Sequence, residues 1–352
     1  MADPMRWRSI VVQQSKREIG VDSGRLDLPF VGIPSFLRSA IASTTDKIDA
    51  DIAVMGVPTD EGSPFMPGSR FGPRGIREQS IRFGAGGRGY YDPGAKRVFL
   101  AHEMEQRRIV DVGDADILPT NVVDTFQNVT DLTRRLLDSG ALPVVLGGDH
   151  AISYPVVRAF TEPLHVFHLD AHIDYAPFVH GLQYTNGQAF RHIARLPNVK
   201  SLTQVGIRSL RHSRQMVEDS VKDGNRVVNM EEFYDVGKAK LVNALPANSN
   251  VYVSIDIDVL DLPLVPGTVS AEPNGMSYAD LRDTLIALAE HTEIVGFDLV
   301  EVNPQLDVGT GVTSYLAAHT IIEFLGHICD QARWTARRDE RAAKREALAA
   351  AK

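Results

Sequence analysis

Three short motifs of this chain contain residues that bind metal ions in proteins, and each motif follows a run of apolar residues. The motifs are Gly147-Gly148-Asp149-His150, Asp170-Ala171-His172-Ile173-Asp174 and Asp256-Ile257-Asp258. Their candidate ligands are four carboxylates and two imidazoles, namely His150, Asp170, His172, Asp174, Asp256 and Asp258. This set is large enough to hold two divalent ions side by side with shared oxygen atoms. It predicts hydrolysis by a hydroxide that the metal ions activate.

The spacing within the motifs allows their side chains to converge. In extended chain, residues two apart point to the same side, so Asp170, His172 and Asp174 can meet just beyond a strand end. The third motif repeats this spacing, and the Gly-Gly turn before His150 lets the backbone come close and bring the imidazole inward. Each motif alone has a more ordinary interpretation, a solvated turn or a buried histidine. Taken together without metal, four buried carboxylates would repel one another at a severe cost, which favours metal binding.

The elements that would position these motifs alternate from about Asp51 onward between short β-branched runs and amphipathic segments. The candidate strands are 52–57, 109–112, 142–146, 164–169, 201–205, 226–228, 251–255 and 293–297. The candidate helices are 73–82, 121–138, 152–160, 187–195, 214–222, 231–244 and 277–289. Nearly unbroken apolar strands are typical of a sheet covered on both faces. Eight strands joined by helices also fit a closed barrel, so this pattern leaves both architectures open.

No linker rich in Gly, Pro or Ser divides the chain, which predicts one catalytic domain over residues 50–332. Residues 1–49 are interpreted as an ordered N-terminal arm that covers a neighbour or the mouth of the site. Residues 333–352 form a charged, Ala-rich helical tail, either solvated or in contact with another subunit.

Composition narrows the class of partner. The 352-residue chain is 43% apolar with a net charge of -8, which argues against nucleic acid and is compatible with a cationic small molecule. The single cysteine, Cys329, excludes an intrachain disulfide and fits a reducing cytoplasm. No stretch approaches the roughly 18 apolar residues of a membrane span, and the N-terminus lacks the apolar core of a signal peptide. We therefore expect a cytoplasmic protein that binds neither membrane nor nucleic acid.

Beyond these features, the motifs resemble the ureohydrolase family, which includes arginases and agmatinases. Its three signature blocks are similar to Leu-Gly-Gly-Asp-His-Ala-Ile-Ser at 146–153, Leu-Asp-Ala-His-Ile-Asp at 169–174 and Ser-Ile-Asp-Ile-Asp at 254–258. Further matches are Gly206-Ile207-Arg208-Ser209, Pro266-Gly267-Thr268 with Glu272-Pro273 and Gly275, and Gly-Phe-Asp-Leu-Val-Glu-Val-Asn-Pro at 296–304. The resemblance runs in order through about residues 51–328. It implies a three-layer α/β/α fold with an open, mostly parallel eight-stranded sheet, and a trimer or hexamer.

Carried over by position, the resemblance assigns two divalent ions to the site. One ion would be held by His150, Asp170, Asp174 and Asp256, and the other by Asp170, His172, Asp256 and Asp258. Asp170 and Asp256 would bridge the two ions. Manganese is the family default, and nickel is the alternative that this set of oxygen and imidazole ligands also accepts.

The activity implied is cleavage of a C–N bond in a small guanidino or biguanide compound, by attack of a metal-bridging hydroxide on the guanidinium carbon. Glu301 matches the glutamate that binds the guanidinium through paired hydrogen bonds. Asp174 would relay the proton of the hydroxide to the leaving nitrogen. Many relatives have a proton-shuttling histidine in the loop where this chain has Asn186, and asparagine cannot transfer a proton near pH 7. His180 either takes that task or is an ordinary loop residue.

Several alternatives stay open at this stage. The long arm and the altered loop are similar to a branch that contains guanidine hydrolases and metformin hydrolases. Agmatine or a guanidino acid is the closest alternative substrate class. A non-catalytic partner subunit of a hetero-oligomer would explain the missing loop histidine, although the intact ligand set opposes it. A single-zinc deacetylase of related fold is disfavoured by the second set of ligands.

Overall fold

The computed structural model of the protein describes residues 28–43, 48–83 and 87–350, and over these ranges its centre is a sheet of nine parallel strands. The strands are β1 (Ala40–Ile41), β2 (Ile52–Val57), β5 (Ile109–Asp114), β6 (Leu142–Gly147), β7 (Leu164–Leu169), β8 (Val199–Ile207), β9 (Arg226–Asn229), β10 (Asn250–Asp256) and β11 (Glu293–Val300). A separate antiparallel hairpin pairs β3 (Tyr90–Asp92) with β4 (Arg97–Phe99). The strand order in the main sheet is β1-β5-β2-β6-β11-β10-β7-β8-β9, which is open at both edges.

Helices cover both faces of the sheet and produce three layers. They are α1 (Gly72–Ser80), α2 (Ala101–Glu105), α3 (Val122–Asp138), α4 (Ser153–Val157), α5 (Ala189–Ile193), α6 (Arg214–Lys222), α7 (Met230–Val236), α8 (Lys238–Val242), α9 (Tyr278–His291), α10 (Val312–Cys329) and α11 (Ala332–Ala350). Residues of α1, α9 and α10 pack into one apolar core, and residues of α3, α4 and α5 pack into a second.

Alternation along β2 shows how the sheet separates the two cores. Ile52 and Val54 point into the first core, whereas Ala53, Met55 and Val57 point into the second. Successive side chains of a strand face opposite sides, so a strand buried on both faces must be apolar throughout. The unbroken apolar runs of the sequence have this cause, and the predicted three-layer α/β/α fold with an open sheet is confirmed.

All eight candidate strands form, and the ninth, β1, comes from the segment assigned to the N-terminal arm. Ala40 and Ile41 pair with Val110 and Asp111 of β5 at the edge of the sheet. Just before β1, Phe36 and Leu37 are buried. The backbone N–H of Leu37 donates to the Oγ atom of Ser80 at 2.9 Å. Residues 1–27 and 44–47 of the predicted arm lie outside the described residues.

The predicted helix over residues 231–244 is two helices, α7 and α8. Gly237 separates them with a φ of 81°, a left-handed backbone conformation that glycine adopts without strain. A single helix cannot continue through such a residue, so the apolar periodicity on either side was correct but its continuity was not.

The C-terminal helix α11 packs against the amino edge of the sheet. Its Arg345 pairs with Asp51 at 3.3 Å, just before β2, and its Arg337 pairs with Glu293 at 2.9 Å, at the start of β11. Trp334 is buried, and its Nε1–H donates to Glu103 at 3.0 Å. Among the described helices, none combines the length and the apolar character that a membrane crossing requires.

Candidate metal centre

The six predicted ligands meet at the carboxyl ends of three strands, β6, β10 and β7, which belong to the contiguous group β6-β11-β10-β7 at the middle of the sheet. Each ligand motif begins at the last residue of its strand or directly after it, and the fourth strand, β11, brings Glu301 to the same edge. Five of the six ligands are buried, and the side chain of His172 is 14% exposed. Parallel strands end at a common edge, so residues far apart in sequence become neighbours there.

The first group of ligands surrounds the Nδ1 atom of His150. Carboxylate oxygens of Asp170, Asp256 and Asp174 lie 2.9, 3.1 and 3.3 Å from that nitrogen. These four residues are the set predicted for one metal ion.

A hydrogen-bond chain behind His150 determines which of its nitrogens carries a proton. The hydroxyl of Ser254 donates to Asp298 at 2.7 Å and lies 2.9 Å from His150 Nε2. Because the single hydroxyl proton is used on Asp298, Ser254 accepts from His150 Nε2–H. The lone pair of Nδ1 then faces three carboxylates, and only a proton or a metal ion between them makes that arrangement favourable.

The second group surrounds the Nδ1 atom of His172. It lies 3.0 Å from Asp258 Oδ2 and 3.3 Å from Asp170 Oδ1. Asp258 Oδ2 is buried and makes no hydrogen bond, since its approach to His172 lacks hydrogen-bond geometry. Asp170 thus presents one oxygen to each histidine, as expected of a bridging carboxylate. Asp256 presents Oδ2 to His150, while its Oδ1 accepts the backbone N–H of Asp258 at 2.9 Å.

The charges of the cluster are not balanced by the protein alone. Burial, together with repulsion from neighbouring carboxylates, raises the pKa values of Asp256 and Asp174 well above 3.8. Burial opposes charge on His172, yet Asp258 and Asp170 raise its pKa to about 12. An orphaned carboxylate oxygen and carboxylates that resist ionisation are what a cation would relieve. Oxygen and imidazole donors of this kind suit first-row divalent ions, so the residues fit the predicted metal pair.

Glu301 follows β11 and contacts the loop that contains His150. Its Oε1 atom accepts the backbone N–H of His150 at 3.0 Å and the side-chain N–H of Asn186 at 3.2 Å. Asn186 Oδ1 accepts the N–H of Gly187 at 2.8 Å, which turns the amide nitrogen toward Glu301. Both Glu301 and Asp174 have left-handed backbones, with φ values of 63° and 46°, and such strain in non-glycine residues is concentrated at functional sites.

Gly148 is needed for the close approach of this loop to β2. A Cβ atom at this position would lie 1.8 Å from the carbonyl oxygen of Thr59, which no side chain could tolerate. Its own carbonyl accepts the backbone N–H of Glu301 at 2.8 Å. The Gly-Gly turn therefore joins the ends of β2, β6 and β11.

His180 lies on an exposed part of the loop after β7, also in a left-handed conformation, with a φ of 54°. The amide nitrogen of Gln188 holds this loop through the carbonyls of Pro177 and Leu182, both at 2.9 Å. Of the contacts found among the described residues, none joins His180 to the ligands or to Glu301. Its proposed role in proton transfer stays a prediction.

His168, which is fully buried beside the cluster, was not among the predicted site residues. Its Nε2 atom lies 2.7 Å from Asp170 Oδ2, and its ring stacks on Phe190 with centroids 3.5 Å apart. Burial lowers the pKa of His168 to about 4. The signal was present in the spacing, because His168 precedes Asp170 by two residues and therefore faces the same side.

Comparisons with known proteins agree with this fold. Residues 50–326 match the model of the arginase family. Guanidinopropionase of Pseudomonas aeruginosa is 32% identical over 311 residues, which cover 86% of this chain and 94% of that protein. The mitochondrial guanidino acid hydrolase of Homo sapiens is 30% identical over 303 residues, which cover 84% of this chain and 82% of that protein. The structure of proclavaminate amidino hydrolase from Streptomyces clavuligerus has a TM-score of 0.73 at 30% identity, covering 86% of this chain and 98% of that chain.

Proposed function

The chain belongs to the arginase family, and we propose that it is a ureohydrolase that cleaves a C–N bond of a small guanidino or biguanide compound. The observation that carries the proposal is the position of Asp170, whose two oxygens face the Nδ1 atoms of His150 and His172 at 2.9 and 3.3 Å. A carboxylate shared between two imidazoles, with further carboxylates on both sides, supports a pair of divalent ions.

The residues that would hold the two ions are His150, Asp170, Asp174, Asp256, His172 and Asp258. Two divalent ions supply Lewis acidity, which makes water acidic enough to serve as the nucleophile near neutral pH. Manganese and nickel both suit these ligands, and we propose manganese first as the family default.

Glu301 would orient the substrate. Its carboxylate is buried and already accepts two N–H groups on Oε1, which holds it in place for paired hydrogen bonds to a guanidinium. Asn186 contributes by donating to Glu301, because an amide cannot transfer a proton near pH 7. To Asp174, whose Oδ2 lies 3.3 Å from His150 Nδ1, we assign the transfer of a proton from the attacking water to the leaving nitrogen.

For the substrate itself, we propose guanidine, an alkylguanidine or a biguanide of the metformin type. Guanidine or an alkylguanidine would give urea with ammonia or an amine, and metformin would give guanylurea and dimethylamine. The replacement of the loop histidine by Asn186 supports this branch. We further propose a cytoplasmic trimer or hexamer, alone or with a related partner chain.

A guanidino acid is the second candidate substrate, and Arg211 favours it. The Arg211 side chain pairs with Glu272 at 3.0 Å and is 58% exposed at the edge of the cluster, where its Nη2 atom lies 2.6 Å from His172 Nε2. A cation in that position could pair with the carboxylate at the far end of a guanidino acid. Agmatine, which ends in an amine, gains nothing from it.

The test combines elemental analysis with a substrate panel on one preparation. The purified chain, supplied separately with Mn²⁺ and Ni²⁺, is expected to contain two ions per chain and to release urea or an amine from one member of the panel. The panel contains guanidine, methylguanidine, metformin, agmatine and 3-guanidinopropionate. Two bound ions with no turnover on any of these compounds would overturn the proposed activity. A chain that takes up no metal would favour a non-catalytic partner subunit.

A further inference from the structure

His168 is a buried histidine that the proposed mechanism does not use, although it touches the central carboxylate of the site. It lies on β7, and its two ring nitrogens have different partners. Nε2 faces Asp170 Oδ2 at 2.7 Å, and Nδ1 lies 3.1 Å from the Nε2 atom of Gln204. Buried among acidic residues, it has the position of an additional metal ligand, with a nitrogen close to His150, Asp170 and Asp174.

The orientation of Gln204 determines the tautomer of His168. The Gln204 amide nitrogen lies 2.5 Å from the carbonyl oxygen of Ile173, which can only accept a hydrogen bond. Its amide oxygen accepts the hydroxyl proton of Ser220 at 2.7 Å, and this second contact fixes the same orientation. The remaining amide proton therefore points at His168 Nδ1, which must accept it. A neutral imidazole that accepts at Nδ1 carries its proton on Nε2.

A proton on Nε2 is incompatible with metal binding by His168. That proton points at Asp170, and the only lone pair of the ring is occupied by Gln204. Ligation through Nε2 would move the proton to Nδ1, opposite the N–H of Gln204, so two donors would face each other in a buried site.

Taking the metal pair of the proposed function as given, we propose that His168 is a positioning residue, which fixes Asp170 in its bridging orientation through an Nε2–H hydrogen bond. With this bond, each oxygen of Asp170 accepts one N–H group: Oδ2 from His168, and Oδ1 from the backbone of His172 at 2.5 Å. Each oxygen would keep a second lone pair, available to a metal ion. The carboxylate would be unable to rotate without losing a buried hydrogen bond.

The hydrogen bonds that orient His168 continue away from the site as a chain. Asn225 donates to Ser220 at 3.1 Å, Ser220 donates to Gln204, and Gln204 donates to His168. Outer partners that hold a ligand in this way commonly contribute about 10–100-fold to metal affinity or activity. The contribution of His168 is therefore expected in metal affinity, not in the number of ions bound.

The test compares His168→Leu, which removes the N–H donor, with His168→Gln, whose side-chain amide keeps a donor at a similar distance from the backbone. The control is His165→Leu, which removes another histidine of β7, bonded to Ser201 at 2.7 Å. Mn²⁺ affinity is measured by chelator competition, the number of ions by elemental analysis at saturation, and the melting temperature of each chain in EDTA.

The expected result is two ions in every variant, with Mn²⁺ affinity reduced about 10–100-fold in His168→Leu, largely restored in His168→Gln and unchanged in His165→Leu. The loss of one ion at saturation in both His168 variants would identify His168 as a ligand and overturn the inference. If His168→Leu has a lower melting temperature but wild-type Mn²⁺ affinity, His168 contributes only to packing, and the inference is overturned as well. A wild-type chain that binds no Mn²⁺ would overturn the proposed function together with the inference.

Discussion

Replacing Asp258 by asparagine is expected to stabilise the chain when metal ions are chelated and to destabilise it when they are present. Asp258 is fully buried, and its Oδ1 accepts the backbone N–H of Ala171 at 3.1 Å. The amide oxygen of asparagine can keep that bond. The substitution removes the charge of the orphaned Oδ2, 3.0 Å from His172 Nδ1, and with it part of the repulsion among the buried carboxylates.

The size of the effect follows from the cost of a buried charge. An uncompensated buried charge costs about 3–5 kcal/mol, and partial compensation by His172 reduces the expected gain to about 2 kcal/mol. Unfolding entropy of about 2.1 cal/mol/K per residue amounts to about 0.7 kcal/mol/K for 352 residues. The melting temperature in EDTA should therefore rise by about 3 °C. With metal, about hundredfold weaker binding would remove about 2.7 kcal/mol of stabilisation.

The pH dependence has a defined sign. Burial, with a contribution from Asp170, raises the pKa of Asp258 above its ordinary value of 3.8, so the folded chain holds this proton more tightly than the unfolded chain. Such a group stabilises the fold at low pH, and its contribution is lost as the pH rises above 3.8 through the raised value. In EDTA, the wild-type melting temperature should fall more steeply than that of Asp258→Asn as the pH rises above 3.8.

The assay is thermal unfolding with EDTA and with saturating Mn²⁺, and Asp111→Asn is the matched control. Asp111 is also a buried aspartate, but it lies on β5, outside the strands that hold the ligands, and its two oxygens accept from Arg77 at 2.8 and 2.9 Å. Its replacement should lower the melting temperature equally with and without metal. The expected stabilisation is refuted if Asp258→Asn destabilises the EDTA-treated chain as Asp111→Asn does, or if it binds both ions with wild-type affinity.

Three further changes test the substrate side of the site. Glu301→Gln should lower kcat/KM by about 10–100-fold, as expected for a hydrogen bond to a charged group, with two ions still bound; loss of metal would contradict this assignment. Asn186→Ala should lower kcat without altering metal content. His180→Ala should keep kcat within about twofold of wild type, as at other exposed positions. A large loss of activity in His180→Ala would identify His180 as the proton carrier. Arg211→Ala should raise KM for guanidino acids alone; an equal effect on methylguanidine would assign Arg211 to holding His172.

The fold was predictable because its strands are apolar on both faces. β2 and β6 are uninterrupted apolar runs, so their positions in the chain can be read from the sequence pattern alone. β1 could not be found in this way, since it has two residues, both exposed, and is held by pairing with β5. The hairpin of β3 and β4 also depends on partners distant in sequence, such as the contact of Tyr90 with Glu323 in α10.

Within the site, spacing of two residues predicted Asp170, His172 and Asp174, and the same rule extends back to His168. Spacing does not show which ring nitrogen of a histidine donates a hydrogen bond and which accepts one. The assignment of His168 depends on Gln204, a residue of β8 whose own orientation is set by Ile173 and Ser220. Side-chain contacts between neighbouring strands leave no periodic pattern in the sequence, so they could not be predicted from it.

The hydrogen bond from the backbone N–H of His150 to Glu301 couples the bound metal ion to substrate binding. The ring of His150 would bind a metal ion, while its backbone N–H holds the Glu301 carboxylate that would bind the substrate. Because Ni²⁺ is smaller than Mn²⁺, exchanging one ion for the other would shift the His150 imidazole and, through this hydrogen bond, Glu301. The identity of the bound ion would then affect how the substrate is held, as well as how strongly water is activated.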